Sequence, residues 1–133
     1  MSKAIGVKGW RVRGWAVLAC LLPLAVACGD EGPASGPGTL TVQVVSPNGA
    51  EGAALVRLIG PGLGQVAPDA GRVFSDIHGD TLNVVVVNEA GGDLRFGMAV
   101  ADTTRPPQGV LVEVSGPDDA VRPLAGYAVE VRR

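Results

Sequence analysis

The chain has 133 residues, with 13 acidic and 11 basic side chains, one histidine and two cysteines, for a formal charge of −2. This length suits a single domain. The acidic balance argues against nucleic acid as a partner, because phosphate backbones call for clustered Lys and Arg, and two cysteines are too few for a disulfide framework.

Charge is unevenly spread along the chain. Lys3, Lys8, Arg11 and Arg13 fall in the first fourteen residues with no acid among them, and residues 15–28, WAVLACLLPLAVAC, carry no charge. A basic flank, an apolar run and small residues at its end are the parts of an export signal. A bilayer-spanning helix needs about 20 apolar residues. This run is shorter, holds Pro23, and gives way at once to Gly29, Asp30 and Glu31. A removable signal is therefore expected, with its basic flank on the cytoplasmic side.

Leu24-Ala25-Val26-Ala27-Cys28 closes the apolar run. It resembles the lipobox of bacterial lipoproteins, an aliphatic residue and small residues ahead of an obligatory cysteine. The family most often has Leu where Ala25 stands. The resemblance implies a signal peptide over 1–27, acylation of the Cys28 thiol, cleavage before it and acylation of the new amino terminus. It further implies a lipid bilayer as partner, and the bacterial cell envelope as location, at the outer membrane or the periplasmic face. Two or more acyl chains anchor stably, at about 0.8 kcal/mol per buried methylene. Val17-Leu18-Ala19-Cys20 fits the same pattern but leaves an apolar run of only about five residues before it, below the usual range. The alternative is an ordinary signal cut after Ala27, with Ala25 and Ala27 as its small residues.

Residues 28–38 then read as the lipidated cysteine and a Gly/Pro-rich tether. Ten flexible residues would average about 18 Å end to end. The chain beyond the cut holds seven arginines, no lysine, and all thirteen acids, a net charge of −6. A body this acidic disfavours anionic membrane contact as well as nucleic acid. With Cys28 acylated no disulfide remains, so stability must come from packing. The aromatic residues left are Phe74, Phe96 and Tyr127. Three are too few for stacked platforms that hold sugars or single-stranded nucleic acid.

Residues 39–133 read as short strands. Leu40, Val42 and Val44 alternate with Thr39, Thr41 and Gln43, the period-two signature of a half-buried strand. Ser46-Pro47-Asn48-Gly49 is a turn by residue type. A second strand spans 53–59 with Arg57 outward, and the glycines at 60–64 break it. Residues 71–75 are a short strand. LNVVVV at 82–87 suits a central strand, and a turn is expected at 88–92. Leu94, Phe96, Met98 and Val100 share one face of the next strand. DTTRPPQG at 102–109 is a loop, since prolines cannot donate to a ladder. Val110, Val112 and Val114 alternate inward, and Tyr127, Val129 and Val131 close the series. The reading is an all-β fold, a single antiparallel β-sandwich of about seven strands, in which strand spacing is similar to immunoglobulin-like and cohesin-like secreted domains.

Candidate chemistry is sparse. Asp76, His78 and Asp80 place two carboxylates and the only histidine within five residues; alternate oxygen ligands can circle calcium, but a polar hairpin turn at Gly79 accounts for them as well. Asp102 with Asp118 and Asp119 would make an acidic cluster if the fold joined their loops; otherwise they are turn residues. Ser46, Ser75 and Ser115 lack a nucleophile-elbow context, and no phosphate loop occurs. Leu55, Ile59, Leu63, Val85 and Leu111 are candidates for an exposed apolar surface. The expected function is a non-catalytic binding or scaffolding module on an envelope lipoprotein, with no cofactor, no small-molecule substrate and an envelope protein as partner. The alternatives are a metal-dependent or hydrolytic enzyme built on the acidic loops, and a structural subunit of a surface complex.

Overall fold

The computed structural model describes Gly32 and residues 34–133, which belong to one compact unit, Glu31–Arg133. The expected signal at 1–27, Cys28 and residues 29–31 and 33 of the expected tether lie outside the described residues. Eight strands follow in order: β1 (Gly38–Val45), β2 (Glu51–Ile59), β3 (Leu63–Pro68), β4 (Arg72–His78), β5 (Thr81–Gly92), β6 (Leu94–Val100), β7 (Gln108–Ser115) and β8 (Ala128–Arg132). They form two antiparallel four-stranded sheets, ordered β3-β6-β1-β8 and β4-β5-β2-β7. No helix occurs among the described residues. The fold is an all-β sandwich.

Alternation builds the core directly. In the first sheet Leu40, Val42 and Val44 stand opposite Met98, Phe96 and Leu94. In the second, Val56 stands opposite Val84 and Leu58 opposite Leu82. All ten side chains are buried, together with Ala54, Val86, Val100 and Val114. Each fully buried aliphatic or aromatic side chain contributes about 1.5–3 kcal/mol over its exposed state. Leu63, Val66, Val73, Leu111, Tyr127, Val129 and Val131 seal the margins.

Three features depart from the sequence reading. The glycine-rich break is only a turn at 60–62, with Gly62 at φ +69°, and Leu63 starts an eighth strand. That strand carries Gly64 and Pro68, weak formers that an edge position tolerates because one side of the strand needs no ladder. The turn expected at 88–92 is instead the end of β5. Glu51 pairs with Gly92 and Ala53 with Val87, so residues 88–91 have no partner on β2. In β7 the inward set is not Val110, Val112 and Val114. The register shifts where Leu55 faces Glu113 but Val56 faces Leu111, so Val112 is the extra residue of a bulge. A one-residue insertion reverses every later side chain. Val114 is therefore buried, Leu111 packs on the core, and Val110 and Val112 are exposed. Gly109 also turns inward, where an added Cβ would strike Val129 of β8.

The connections collect at two ends. Gly38 pairs with Val100, and Ile59 with Thr81 and Gln108. The start of β1, the turns at 60–62 and 79–80, the loop at 101–107 and Arg133 thus share one end, called the tether end below. The turns at 46–50 and 69–71, Asp93 and the long β7–β8 loop at 116–127 form the far end.

In urea unfolding, Phe96→Ala is expected to cost about 3–5 kcal/mol, as for a buried aromatic truncated to leave a cavity. Phe74→Ala, whose side chain is exposed, is expected to stay within about 0.5 kcal/mol of the parent.

Candidate functional site

At the far end one acid is buried. Glu51 is 1% exposed and begins β2 at the bulge between Glu51 and Ala53. Its Oε1 accepts the Ser46 hydroxyl and the Tyr127 hydroxyl, both at 2.5 Å. Asn48 Nδ2 donates to the Tyr127 oxygen at 2.9 Å, and the Asn48 N–H donates to Ser46 Oγ at 2.9 Å. Arg122 Nε lies 2.9 Å from Glu51 Oε2. Its N–H is not aimed at that oxygen, and both atoms lack a hydrogen-bond partner, so the pair is held by charge rather than by a directed bond. Burial opposes ionisation of Glu51, yet the hydroxyls of Ser46 and Tyr127, the Arg122 guanidinium and Asn48 outweigh it, and the carboxyl titrates below its ordinary value. Local backbone makes room for this lock. A Cβ on Gly52 would lie 2.5 Å from the Gly116 carbonyl oxygen and 3.2 Å from Pro117 Cα, so only glycine lets β2 and the β7–β8 loop meet there. The lock fastens the 46–50 turn to that loop across up to 79 residues of chain. Its members have no shared motif, and sequence reasoning did not find it.

At the tether end a second group of bonds holds the incoming chain. The Ala34 carbonyl accepts from the Thr103 hydroxyl at 3.4 Å and from Arg133 Nη2 at 3.2 Å. The Gly36 N–H donates to Asp102 Oδ1 at 3.4 Å, and its carbonyl accepts the Thr103 N–H at 2.9 Å. Arg133 Nη2 also donates to Thr103 Oγ1 at 2.7 Å. The Asp102 carboxylate is oriented by the Thr104 hydroxyl at 2.6 Å and the Thr104 N–H at 2.9 Å, which keep it below the usual carboxylate range. Residues 34–36, part of the expected tether, are thus docked on the domain.

The other sequence candidates are placed as follows. Asp76 and His78 lie two apart on β4, opposite Asn83 and Thr81. They share a face for that reason, with His78 Nε2 2.6 Å from Asp76 Oδ2 and both side chains exposed. Asp80 is the second residue of the two-residue turn that Gly79 opens at φ +58°, and its carbonyl accepts the Gly60 N–H at 2.9 Å. Among the described residues no three His, Cys, Asp or Glu side chains are grouped to hold a metal ion. Asp102 belongs to the tether end and Asp118 and Asp119 to the far end, so the acidic cluster considered from sequence is not assembled. The separation follows from topology: β7 carries the chain the full length of the sandwich between them.

The outer face of the second sheet is apolar at its centre. Register aligns Phe74, Val85, Leu55 and Glu113 in one row across β4, β5, β2 and β7. Phe74 is 57% exposed and Val85 37%, and Val112, Val110 and Ile59 are exposed nearby. A shallow cleft of about 220 Å³ is lined by Ala53, Leu55, Val85, Glu113 and Ser115. The outer face of the first sheet instead presents Thr39, Thr41, Gln43, Arg95, Glu130 and Arg132. Of the residues expected to be exposed, Ile59 and Val85 are, Leu55 is half-buried, and Leu63 and Leu111 pack against the core.

No family model, characterised protein or solved structure matches the chain.

Glu51→Ala is expected to lower stability by about 3 kcal/mol, the scale for removing one partner of a buried, hydrogen-bonded ion pair, and Tyr127→Phe by about 1–1.5 kcal/mol. Because the folded-state titration of Glu51 lies below the ordinary value of 4.5, its contribution is complete above that pH and is lost as pH falls toward the lowered value. Urea midpoints measured across this acidic window should fall more steeply in the parent than in Glu51→Gln. Gly52→Ala, which sets a methyl against backbone, should cost about 1–3 kcal/mol.

Proposed function

We propose that the chain is a bacterial envelope lipoprotein, held to a membrane by acylated Cys28, whose β-sandwich serves as a non-catalytic binding or scaffolding module for another envelope protein. The anchor part of this reading rests on the sequence: the basic flank, the uncharged run and the cysteine at the polarity break. The module part rests on one observation, the apolar row of exposed Phe74 and Val85 and half-buried Leu55 on β4, β5 and β2. Apolar side chains gathered on a sheet face, with polar ones on the opposite face, are the usual mark of an interaction surface. An exposed aromatic at the β4 end of this row supplies the large contact area that anchors protein partners.

Two measurements test the two parts. Cells fed radioactive palmitate should yield a labelled protein, and Cys28→Ala should yield none; label that persists in the variant removes the anchor. A photoreactive amino acid placed at position 74 should give a discrete cross-linked product in cells, while the same group at position 43, on the polar sheet, should not. Equal products from both faces, or none from either, remove the module reading.

A further inference from the structure

The bonds at the tether end fix more than a few residues of backbone. They determine where the chain leaves the domain and how much of it is left to reach a membrane. Resting on the anchor proposed above, we infer that the tether end of the sandwich lies on the lipid headgroups, with Arg132, Arg133 and Arg105 beside the exit of the chain as its contact with lipid phosphate.

The first argument is reach. Ala34 and Gly36 are held by Thr103, Asp102 and Arg133, so the chain between Cys28 and the domain is residues 29–33 and not the ten read from composition. Six Cα steps, at about 3.3–3.6 Å each, cannot exceed about 22 Å. With a leash that short, the end from which it emerges is the end that meets the surface. The far end stands the length of β1 away, eight residues of extended chain.

The second argument is charge. The far end carries Asp69, Glu89, Asp93, Asp118, Asp119 and the buried Glu51 against Arg72, Arg95 and Arg122. The tether end balances Asp76, Asp80, Asp102 and Glu130 with Arg57, Arg105, Arg132 and Arg133. The net charge of the body therefore resides mostly away from the anchor. Within the tether end the arginines are gathered on one side. Arg132, Arg133, Thr103, Thr104 and Pro106 line a cleft of about 270 Å³ beside the exit of the chain, whereas Asp76 and Asp80 sit on the hairpin at the β4 edge. Asp102 faces Thr104 and Gly36 and lies 3.9 Å from Arg105, and Glu130 pairs with Arg132. Asp30 and Glu31 are the acids of the segment between Cys28 and Ala34. Guanidinium groups bind phosphate through paired N–H donors, and each basic side chain near an anionic leaflet adds to binding within a Debye length. The acidity that disfavours membrane contact for the whole body does not apply at this end.

The test supplies the anchor chemically, so that it does not depend on how cells process the chain. The chain from Cys28 onward, which contains the entire closed core, is coupled through its thiol to a maleimide lipid in vesicles of phosphatidylcholine with or without phosphatidylglycerol. Both tryptophans of the sequence, Trp10 and Trp15, precede Cys28, so one introduced tryptophan is the sole donor to a dansyl group on the lipid headgroup. Pro106→Trp reports the tether end and Ala120→Trp the far end; circular dichroism verifies the fold of each. Energy transfer from position 106 should exceed that from position 120 several-fold in phosphatidylglycerol vesicles. Arg132→Gln, which leaves the bonds to Ala34 in place, should reduce that excess, and Arg133→Gln, which removes both a charge and a bond to the leash, should abolish most of it. Equal transfer from the two ends, or an excess that neither arginine nor phosphatidylglycerol affects, overturns the inference. The palmitate experiment reads the anchor separately, so failure of one is not failure of the other.

Discussion

Contact between the two inner sheet faces is the constraint on which the rest of the structure depends. Residues 34–133 contain no cysteine, and the described residues hold no helix to cover a sheet from outside. The sheets must bury one another. Val42 and Phe96 from one and Val56 and Val84 from the other are wholly buried, and the central strands β1, β6, β2 and β5 bring their apolar sets to this layer by period two. Where the period slips, as at Val112, the strand bulges and the pattern resumes on the correct side.

The far end obeys a different rule. Burying a carboxylate is costly unless it is paired and hydrogen-bonded. Glu51 meets that requirement with two hydroxyls on one oxygen and a guanidinium beside the other. The lock involves far fewer side chains than the apolar core, but it ties the 46–50 turn to the β7–β8 loop over the start of β2. The tether end repeats the idea with backbone acceptors, since Thr103 and Arg133 hold carbonyls of the incoming chain. Each end of the sandwich is thus fastened by polar groups, while the middle is fastened by apolar ones.

These two ends give the functional proposal its polarity. With the proposed anchor at Cys28, the docking of residues 34–36 and the acidic far end would give a proximal and a distal direction to a domain that composition alone presents as a uniform acidic body. The apolar row of Phe74, Val85 and Leu55 runs along the flank between them, and so remains accessible whichever loops approach the lipid.

The all-β class, the antiparallel pairing and most inward-facing residues were legible in the chain, because alternation of apolar and polar side chains is a local property and a sheet face reads it directly. Leu40 to Val44 and Leu94 to Val100 carried that signal without interruption. The eighth strand was not legible, because Leu63–Pro68 is an edge strand whose glycine and proline are tolerated only where a neighbour is absent. Nor was the inward turn of Leu111, since a bulge depends on the partner strand as much as on its own residues. The Glu51 lock, the docking of Ala34 and the separation of Asp102 from Asp118 and Asp119 were decided by tertiary structure alone: each joins or parts residues far apart in the chain, and such distances are set by how strands cross between sheets, which local periodicity does not encode.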